Sequence, residues 1–452
     1  MSLKETLENY SKSNMYPFHM PGHKRRLSGI YEIDMTEVEG VDDLHDPEGV
    51  LLEEEKRMAK IFGADDSYML VGGSTVGNLA AVYAACNEGD CVLIQRNSHK
   101  SVYNAVMLRR LKVDYIYPTV REDGIFEAVT LKQVQKAAQR QVSVKAIILT
   151  SPTYEGYHCK IKEIGDYCHE NGILLIVDQA HGAHLGFNEY FKEKAIGIAD
   201  ITIQSLHKTL PSLTQTAAMH ISGKRIDRAR VRQALDIFET SSPSYVLMNS
   251  ISDCLDKLEK NSELFQEYVD KLQDFYKACG ELKHIQLIQA AAEVKDPGKL
   301  IISTKNSNST GVQLAKILRE KYNIETELSS FAYVLGMTSI MDSKEGFERL
   351  KNALVDIDKT LEEGQISVPN LAMVPSKRME IYEAKAGNEN QVDLNEALGK
   401  VSAEMICIYP PGAPIVVPGE EITEQVIEII HEAKIKGLHV TGLSNDSISV
   451  VN

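Results

Sequence analysis

The chain has 452 residues and a formal net charge of −15, because 64 Asp and Glu outnumber 49 Lys and Arg. Hydrophobic residues make up 43% and charged residues 25% of the chain, values typical of a soluble globular protein that argue against a disordered one. The acidic balance disfavours nucleic acid as a general partner, since binding to phosphates depends on clustered Lys and Arg.

The sequence predicts neither a membrane span nor a secretory signal. The longest apolar runs, 145–150 and 173–177, are far shorter than the roughly 20 residues of a membrane helix. The first ten residues carry acids and no apolar segment. Seven cysteines are scattered without metal-ligand spacing, which indicates reduced thiols and no metal site. We therefore expect a cytoplasmic protein with no membrane partner.

In chain order, the predicted elements begin with an arm and continue as alternating strands and helices. Residues 1–50 are rich in charge and turn formers and are typical of an extended arm with short helices. Apolar, β-branched runs then alternate with amphipathic stretches, which predicts an α/β fold with a mainly parallel sheet covered by helices on both faces. The predicted strands are 91–95, 113–118, 144–150, 172–177, 201–206 and 216–221, and the predicted helices are 51–62, 75–86, 101–111, 130–140 and 161–170.

The C-terminal part has the pattern of a second, smaller domain. Apolar residues at three- and four-residue steps predict one long helix over 244–278. The polar stretch 383–396 is predicted to be a surface loop. We expect an arm (1–50), a large domain (51–285) and a small α+β domain (286–452). In the small domain the predicted strands are 299–304, 330–340 and 401–408, and the predicted helices are 310–321, 344–364 and 421–436.

Two reactive side chains stand at the ends of predicted strands. Lys208 follows Ser205 and His207, and a lysine that is buried loses its charge readily and forms Schiff bases with carbonyl compounds. Taken alone, a lysine that reaches solvent is the more common explanation. Asp178 ends an earlier strand, where open α/β sheets bind ligands and where it could keep a pyridine nitrogen protonated. A helix N-cap is the ordinary alternative.

Two further motifs precede these in the chain. Residues 71–78 form a glycine-rich turn with hydroxyls that opens a helix, an arrangement that favours a bound phosphate. The turn matches neither the P-loop nor the dinucleotide-binding fingerprint. His99 follows strand 91–95 and could stack on a flat ring. Each motif alone has an ordinary structural explanation, but their combination in this order favours pyridoxal phosphate chemistry.

With these motifs the chain resembles the ornithine/lysine/arginine decarboxylases, which depend on pyridoxal 5'-phosphate and have the aspartate-aminotransferase-like fold of type I. The resemblance runs nearly end to end. Because its motifs begin at residue 17, we expect a short form without the N-terminal receiver-like domain of the large bacterial enzymes. The matching motifs are Pro-Phe-His-Met-Pro-Gly-His-Lys (17–24), Asp-Leu-His-Asp-Pro-Glu-Gly (43–49), Gly-Gly-Ser-Thr-Val-Gly-Asn (72–78), Arg-Asn-Ser-His-Lys-Ser (96–101), Val-Asp-Gln-Ala-His-Gly-Ala-His (177–184), Ser-Leu-His-Lys-Thr-Leu (205–210) and Tyr-Pro-Pro-Gly-Ala-Pro (409–414).

The resemblance implies a role for each motif around the cofactor. Lys208 would hold it as a Schiff base, Asp178 would pair with the pyridine nitrogen, and His99 would stack on the ring. Lys208 or His207 would return a proton to the α carbon of the substrate. The other implied cofactor contacts are Ser74, Thr75, Ala180, Ser205 and His207.

The resemblance also implies a homodimer with shared active sites, with larger assemblies left open. Thr240, Ser241 and Ser242, here called the hydroxyl segment, would reach the phosphate bound by the partner subunit. A hydroxyl-rich helix cap explains the same residues equally well.

Two residues are candidates for contact with the substrate. Glu327 matches a position where the family has an acid in the cleft, and it would bind a cationic tail. His181 stands where some relatives carry Trp. Asp43, Asp46 and Glu48 are alternatives for the tail if the arm covers the partner's site.

The resemblance implies decarboxylation of a small-molecule amino acid, basic in type (arginine, lysine or ornithine), to CO2 and an amine that serves polyamine synthesis. One alternative is another pyridoxal phosphate enzyme, such as an aminotransferase, a β-eliminating lyase or an aldolase, since fold does not determine reaction type. The other is a non-catalytic regulator that binds the cofactor.

Overall fold

The protein forms two compact units, each built from two separate stretches of chain. The computed structural model describes residues 2–260, 263–409 and 412–452. Pro410 and Pro411 of the predicted C-terminal motif therefore lie outside the described residues. Unit 1 comprises Met1–Cys86 and Ile161–Phe265, and unit 2 comprises Asn87–Lys160 and Gln266–Asn452.

Fourteen helices and sixteen strands are described in these ranges. The helices are α1 (Leu3–Ser11), α2 (Val50–Phe62), α3 (Gly73–Ala85), α4 (Lys100–Leu108), α5 (Leu131–Ala138), α6 (Ile161–Glu170), α7 (Leu206–Thr209), α8 (Arg228–Phe238), α9 (Tyr245–Lys260), α10 (Glu263–Ala278), α11 (Gly311–Tyr322), α12 (Lys344–Asp358), α13 (Ile381–Ala386) and α14 (Glu424–Ile435). The strands are β1 (Asp66–Leu70), β2 (Cys91–Gln95), β3 (Lys112–Ile116), β4 (Ala146–Thr150), β5 (Leu174–Asp178), β6 (Ile201–Ser205), β7 (Ala217–Ile221), β8 (Gln286–Ile288), β9 (Lys299–Ser303), β10 (Leu328–Ser329), β11 (Tyr333–Met337), β12 (Glu389–Asp393), β13 (Ile406–Tyr409), β14 (Ala413–Val416), β15 (His439–Thr441) and β16 (Ser447–Val451).

In unit 1, four strands lie side by side in the order β1-β7-β6-β5. β5 and β6 pair in parallel, while β7 is antiparallel to both of its neighbours, so three of the four strands run in one direction. Every residue of β5, β6 and β7 is buried. Helix α3 approaches β6 closely because Gly77 has no side chain, and a Cβ there would lie 2.6 Å from Ile203 Cγ2.

In unit 2, three parallel strands are ordered β4-β2-β3, and the remaining strands form antiparallel sheets. The antiparallel sheets have the orders β10-β11-β9-β8, β14-β13-β15 and β12-β16. A separate apolar core lies under the C-terminal strands and α14, and it includes Ile406, Val416, Ile430 and Ile448. This arrangement confirms the predicted α/β class with mainly parallel strands and a smaller C-terminal region.

One predicted element differs from the one observed, and another falls partly outside the described residues. The loop prediction for 383–396 is wrong, because α13 ends and β12 forms within it. Only Val392 of β12 is apolar and the other residues are exposed, so the strand depends mainly on the pairing of its backbone with β16. The helix predicted over 244–278 corresponds to α9 and α10, and residues 261 and 262 between them lie outside the described residues.

The described ranges contain no disulfide, no cluster of metal ligands and no membrane-spanning helix. None of the seven cysteines forms a disulfide bond. Within those ranges no group of three or more His, Cys, Asp or Glu has the arrangement of a metal site. No described helix is both long and apolar enough to cross a bilayer.

A buried ion pair joins distant parts of the chain inside unit 2. Arg96 Nη2 lies 2.8 Å from Glu420 Oε2, and the two side chains are 7% and 1% exposed. Arg96 also donates to the hydroxyl of Tyr103 at 3.0 Å, and Glu420 accepts the backbone N–H of Val417 at 3.0 Å. Burial raises the pKa of Glu420, whereas the charge of Arg96 acts in the opposite direction. Each ion therefore depends on the other to offset its lost hydration.

We expect Glu420→Gln to destabilise the protein strongly, because it leaves the Arg96 guanidinium buried without a counter-ion. Removal of one partner of such a pair costs about 3–5 kcal/mol. The measurement is the free energy of unfolding in urea. The control is Glu320→Gln, which affects an exposed pair with Lys316 at 4.0 Å and should change stability by at most about 0.5 kcal/mol. Equal effects of the two substitutions would contradict the prediction.

Candidate active site

The carboxyl ends of β5 and β6 meet at one edge of the unit 1 sheet. The parallel register pairs Asp178, the last residue of β5, with Ile203 of β6. Two residues later β6 ends at Ser205, and the short helix α7 follows with Lys208 in it. Open parallel sheets bind ligands at this edge.

The carboxylate of Asp178 is buried and held by two donors. Its Oδ2 accepts a hydrogen bond from Asn78 Nδ2 on α3 at 2.8 Å, and its Oδ1 accepts one from the backbone N–H of Ala180 at 3.1 Å. Both donors are neutral, so they orient the carboxylate without neutralising its negative charge. A fixed anion of this kind suits a protonated ring nitrogen.

Lys208 is partly buried and is hydrogen-bonded to a histidine. Its Nζ lies 3.0 Å from Nε2 of His181, which follows β5 and is itself buried. In a hydrogen bond between two nitrogens, one of them must accept, so Lys208 and His181 cannot both be protonated on these atoms. The pair therefore shares a proton at the edge of the sheet.

His207 is held as a neutral imidazole. Its Nδ1 lies 2.8 Å from the carbonyl oxygen of Thr216, and a carbonyl can only accept, so Nδ1 carries the proton. Burial, and to a lesser extent the charge of Lys208, lower the pKa of His207 below its ordinary value, although the bond to Thr216 opposes them. At neutral pH its Nε2 is a hydrogen-bond acceptor.

The glycine-rich turn lies at the start of α3. Gly73 has a φ of +74°, and among the described residues no side chain caps the helix that it begins. Ser74 Oγ lies 2.7 Å from Ser205 Oγ, which ties the turn to the end of β6, and Thr75 on the first turn is exposed. Backbone N–H groups at an uncapped helix N-terminus, with hydroxyls beside them, suit a phosphate.

These unit 1 residues fit pyridoxal 5'-phosphate. The set supplies an oriented carboxylate, a lysine that shares a proton, and an uncapped helix start. The hydroxyl segment (Thr240–Ser242) is also in unit 1, and its residues are exposed.

His99 and Glu327 lie in unit 2, whereas Asp43, Asp46 and Glu48 lie in unit 1. The roles of all the predicted site residues stay predictions. His99 is the N-cap of α4, where its Nδ1 accepts the backbone N–H of Ser101 at 3.2 Å. Glu327 is exposed and accepts a hydrogen bond from the hydroxyl of Tyr154 at 2.5 Å.

The sequence patterns did not identify two residues that hold the predicted ones in place. Asn78 lies within the glycine-rich motif, four residues after Ser74 and hence one helical turn away, which is the one signal that could have pointed to it. The carbonyl of Thr216 has no sequence signal, because any residue at that position would supply it.

Comparison with known proteins gives a consistent result over the whole chain. Residues 2–295 match the Orn/Lys/Arg decarboxylase major domain, and residues 358–446 match the Orn/Lys/Arg decarboxylase C-terminal domain. An arginine decarboxylase of Bacillus subtilis (strain 168) is 31% identical, over 98% of this chain and 96% of its own length. An arginine decarboxylase of Halalkalibacterium halodurans is 30% identical, over 97% of this chain and 94% of its own.

Solved structures confirm the predicted fold. The constitutive lysine decarboxylase of E. coli has a TM-score of 0.87 at 20% identity, covering all of this chain (100%) and 82% of that one. The serine palmitoyltransferase of Sphingomonas wittichii has a TM-score of 0.56 at 14% identity, covering 68% of this chain and 75% of that one.

We expect Lys208→Gln to raise the pKa of His207, because it removes a positive charge that opposes protonation of the imidazole. The pKa is read from the ring carbon resonances of His207 in an NMR titration. The control is Lys260→Gln, which removes a surface lysine paired with Asp256 and should leave that pKa unchanged. A fall in the pKa of His207 in the Lys208 variant would contradict the assignment.

Proposed function

Because the chain belongs to the Orn/Lys/Arg decarboxylase family, we propose that it releases CO2 from a basic amino acid, with pyridoxal 5'-phosphate held at Lys208. The observation that carries the residue roles is the meeting of Asp178 and Lys208 at the ends of two adjacent parallel strands. An aldehyde cofactor needs an amine to hold it, and its pyridine nitrogen needs an anion.

When bound, the cofactor supplies a conjugated ring that accepts the electrons released as the carboxylate departs. The part of Asp178 is to hold a proton on the ring nitrogen, with its carboxylate oriented by Asn78 and the N–H of Ala180. The part of the turn around Ser74 is to bind the phosphate through backbone N–H groups and hydroxyls.

We assign delivery of the proton to the α carbon to Lys208 rather than His207. His207 is neutral at neutral pH, and its one proton is engaged with the carbonyl of Thr216. Lys208 Nζ shares a proton with His181 Nε2, so His181 can resupply Lys208 after each turnover. In this assignment His207 has a positioning role, through its bond to the carbonyl of Thr216.

The names of the relatives favour arginine as the substrate of this chain. Two proteins that match this chain almost end to end carry the name arginine decarboxylase. Glu327 is proposed to bind the cationic end of the substrate, and its carboxylate is oriented by Tyr154. His99 is proposed to stack on the cofactor ring. The amine product is proposed to serve polyamine synthesis, and the lack of a disulfide among the seven cysteines supports a reducing, cytoplasmic setting.

We propose a homodimer in which the arm contacts the second copy. Large apolar side chains of the arm are exposed, with Phe18 at 93% and Tyr16 at 66%. Contiguous apolar exposure of this kind marks an interaction surface. The hydroxyl segment is exposed as well, as expected if it reaches the partner's phosphate.

The function is tested by incubating the purified protein with arginine, lysine, ornithine and neutral amino acids while CO2 and amine are measured. We expect CO2 with arginine, and visible absorbance that borohydride abolishes by fixing the cofactor to the peptide that contains Lys208. Lys208→Ala should lose both the release of CO2 and the visible absorbance, and Lys260→Ala should lose neither. Keto-acid formation would indicate an aminotransferase instead, and a label on another lysine would refute the assignment of Lys208.

We expect Asn78→Leu to reduce decarboxylation about 10- to 100-fold, because a hydrogen bond to a charged group contributes about 1.5–3 kcal/mol. The affected carboxylate is that of Asp178. The measurement is kcat together with the absorbance maximum of the bound cofactor. Asn171→Leu is the control, since its amide bonds only to the carbonyl of Tyr167 on the surface of α6. An unchanged kcat in the Asn78 variant would remove the role given to this residue.

A further inference from the structure

His45 in the arm uses both ring nitrogens to contact helix α8 and the first residue of the hydroxyl segment. Its Nε2 lies 2.8 Å from the carbonyl oxygen of Thr240, and its Nδ1 lies 3.1 Å from Oδ1 of Asp236 in α8. The side chain is 23% exposed. All three residues belong to unit 1.

The chemistry of these two contacts determines the charge of His45. A carbonyl oxygen and an ionised carboxylate can only accept, so both ring nitrogens must donate, and only the imidazolium has two N–H groups. Burial lowers the pKa of His45, but the bonds to Thr240 and Asp236 outweigh it and raise the pKa above its ordinary value. The cation is therefore the form that satisfies both contacts.

His23, elsewhere in the arm, shows the contrast. Its Nε2 lies 3.1 Å from Oδ2 of Asp34, but its Nδ1 accepts the backbone N–H of Arg25 at 3.0 Å. One donor and one acceptor satisfy these contacts, so neutral His23 fits its surroundings. The two-donor arrangement is thus a property of His45 and not of every histidine in the arm.

The residue that precedes the hydroxyl segment lies against the glycine-rich turn. This residue, Glu239, is buried, and a Cβ added at Gly72 would lie 2.8 Å from Glu239 Oε1. Burial raises the pKa of Glu239 to about 7, so its own titration must be separated from that of His45. The charged groups that face His45 are Glu37, Asp43, Asp46, Arg232, Asp236 and Glu239.

We propose that His45 is a positioning residue which, as an imidazolium, fixes the backbone at Thr240 and so holds the hydroxyl segment in the geometry that binds phosphate. The inference rests on the proposed function, in which these hydroxyls contact the cofactor phosphate. The arm is then part of the phosphate site through His45. Deprotonation at higher pH removes one of the two bonds and weakens phosphate binding.

The experiment compares the dissociation constants of pyridoxal 5'-phosphate and of pyridoxal, measured on apoprotein from about pH 6 to about pH 9. The ratio of the two affinities isolates the phosphate contribution. In the wild type we expect this ratio to fall as pH rises through the pKa of His45. His45→Asn should lower the ratio about tenfold at the acidic end and remove the fall, since it has one donor group in place of two.

A second variant keeps the histidine. In Asp236→Asn the amide can donate to Nδ1, so the imidazolium is no longer required, and the fall in the ratio should shift to lower pH. Glu239→Gln identifies any share of the pH dependence that belongs to Glu239, and the His45 component must persist in it. His23→Asn is the matched control, and its pH dependence should equal that of the wild type.

The outcomes separate the inference from the proposed function. If Thr240→Val with Ser242→Ala lowers the ratio but His45→Asn leaves both its size and its pH dependence intact, the role of His45 is overturned and the phosphate assignment stands. If the hydroxyl variants leave the ratio unchanged, the phosphate assignment is refuted, and the role of His45 with it. Should His45→Asn fail to fold, an unshifted pH profile in Asp236→Asn overturns the inference.

Discussion

The parallel pairing of β5 with β6 is the constraint on which the candidate site depends. It brings Asp178 to the same edge as Ser205 and places Lys208 in the short helix α7 that follows β6. Shifting the register by one residue would turn every side chain of β6 to the other face. Helix α3 is held against this edge because Gly77 permits close approach to Ile203, and α3 in turn delivers Asn78 to the Asp178 carboxylate.

The strand ends of this site could be predicted from sequence because each buried strand is an apolar run that stops at a polar residue. Asp178 and Ser205 are found at such ends in the structure. The partners of these residues could not be predicted, since the contacts of Asn78 with Asp178 and of His181 with Lys208 arise from packing between separate elements. Strand β12 escaped prediction for a related reason, because it depends on backbone pairing rather than on apolar side chains.

The arm combines a fixed part with an exposed part. Leu3 and Leu7 of α1 are fully buried, and near the other end of the arm Asp42 accepts backbone N–H groups from Glu48, Gly49 and Leu51. The aromatic stretch around Phe18 lies between these anchors and is exposed. An exposed surface held at both ends loses less conformational entropy when it binds a partner than a free tail would lose.

The separation in sequence between Arg96 and Glu420 has a consequence for synthesis of the protein. The two residues are 324 positions apart, so 324 further residues must be synthesised before the guanidinium can meet its counter-ion. Until then the first stretch of unit 2 exists without the partner that makes its burial favourable. Chains that terminate before Glu420 consequently leave Arg96 without its counter-ion, fold poorly and are exposed to cellular proteases.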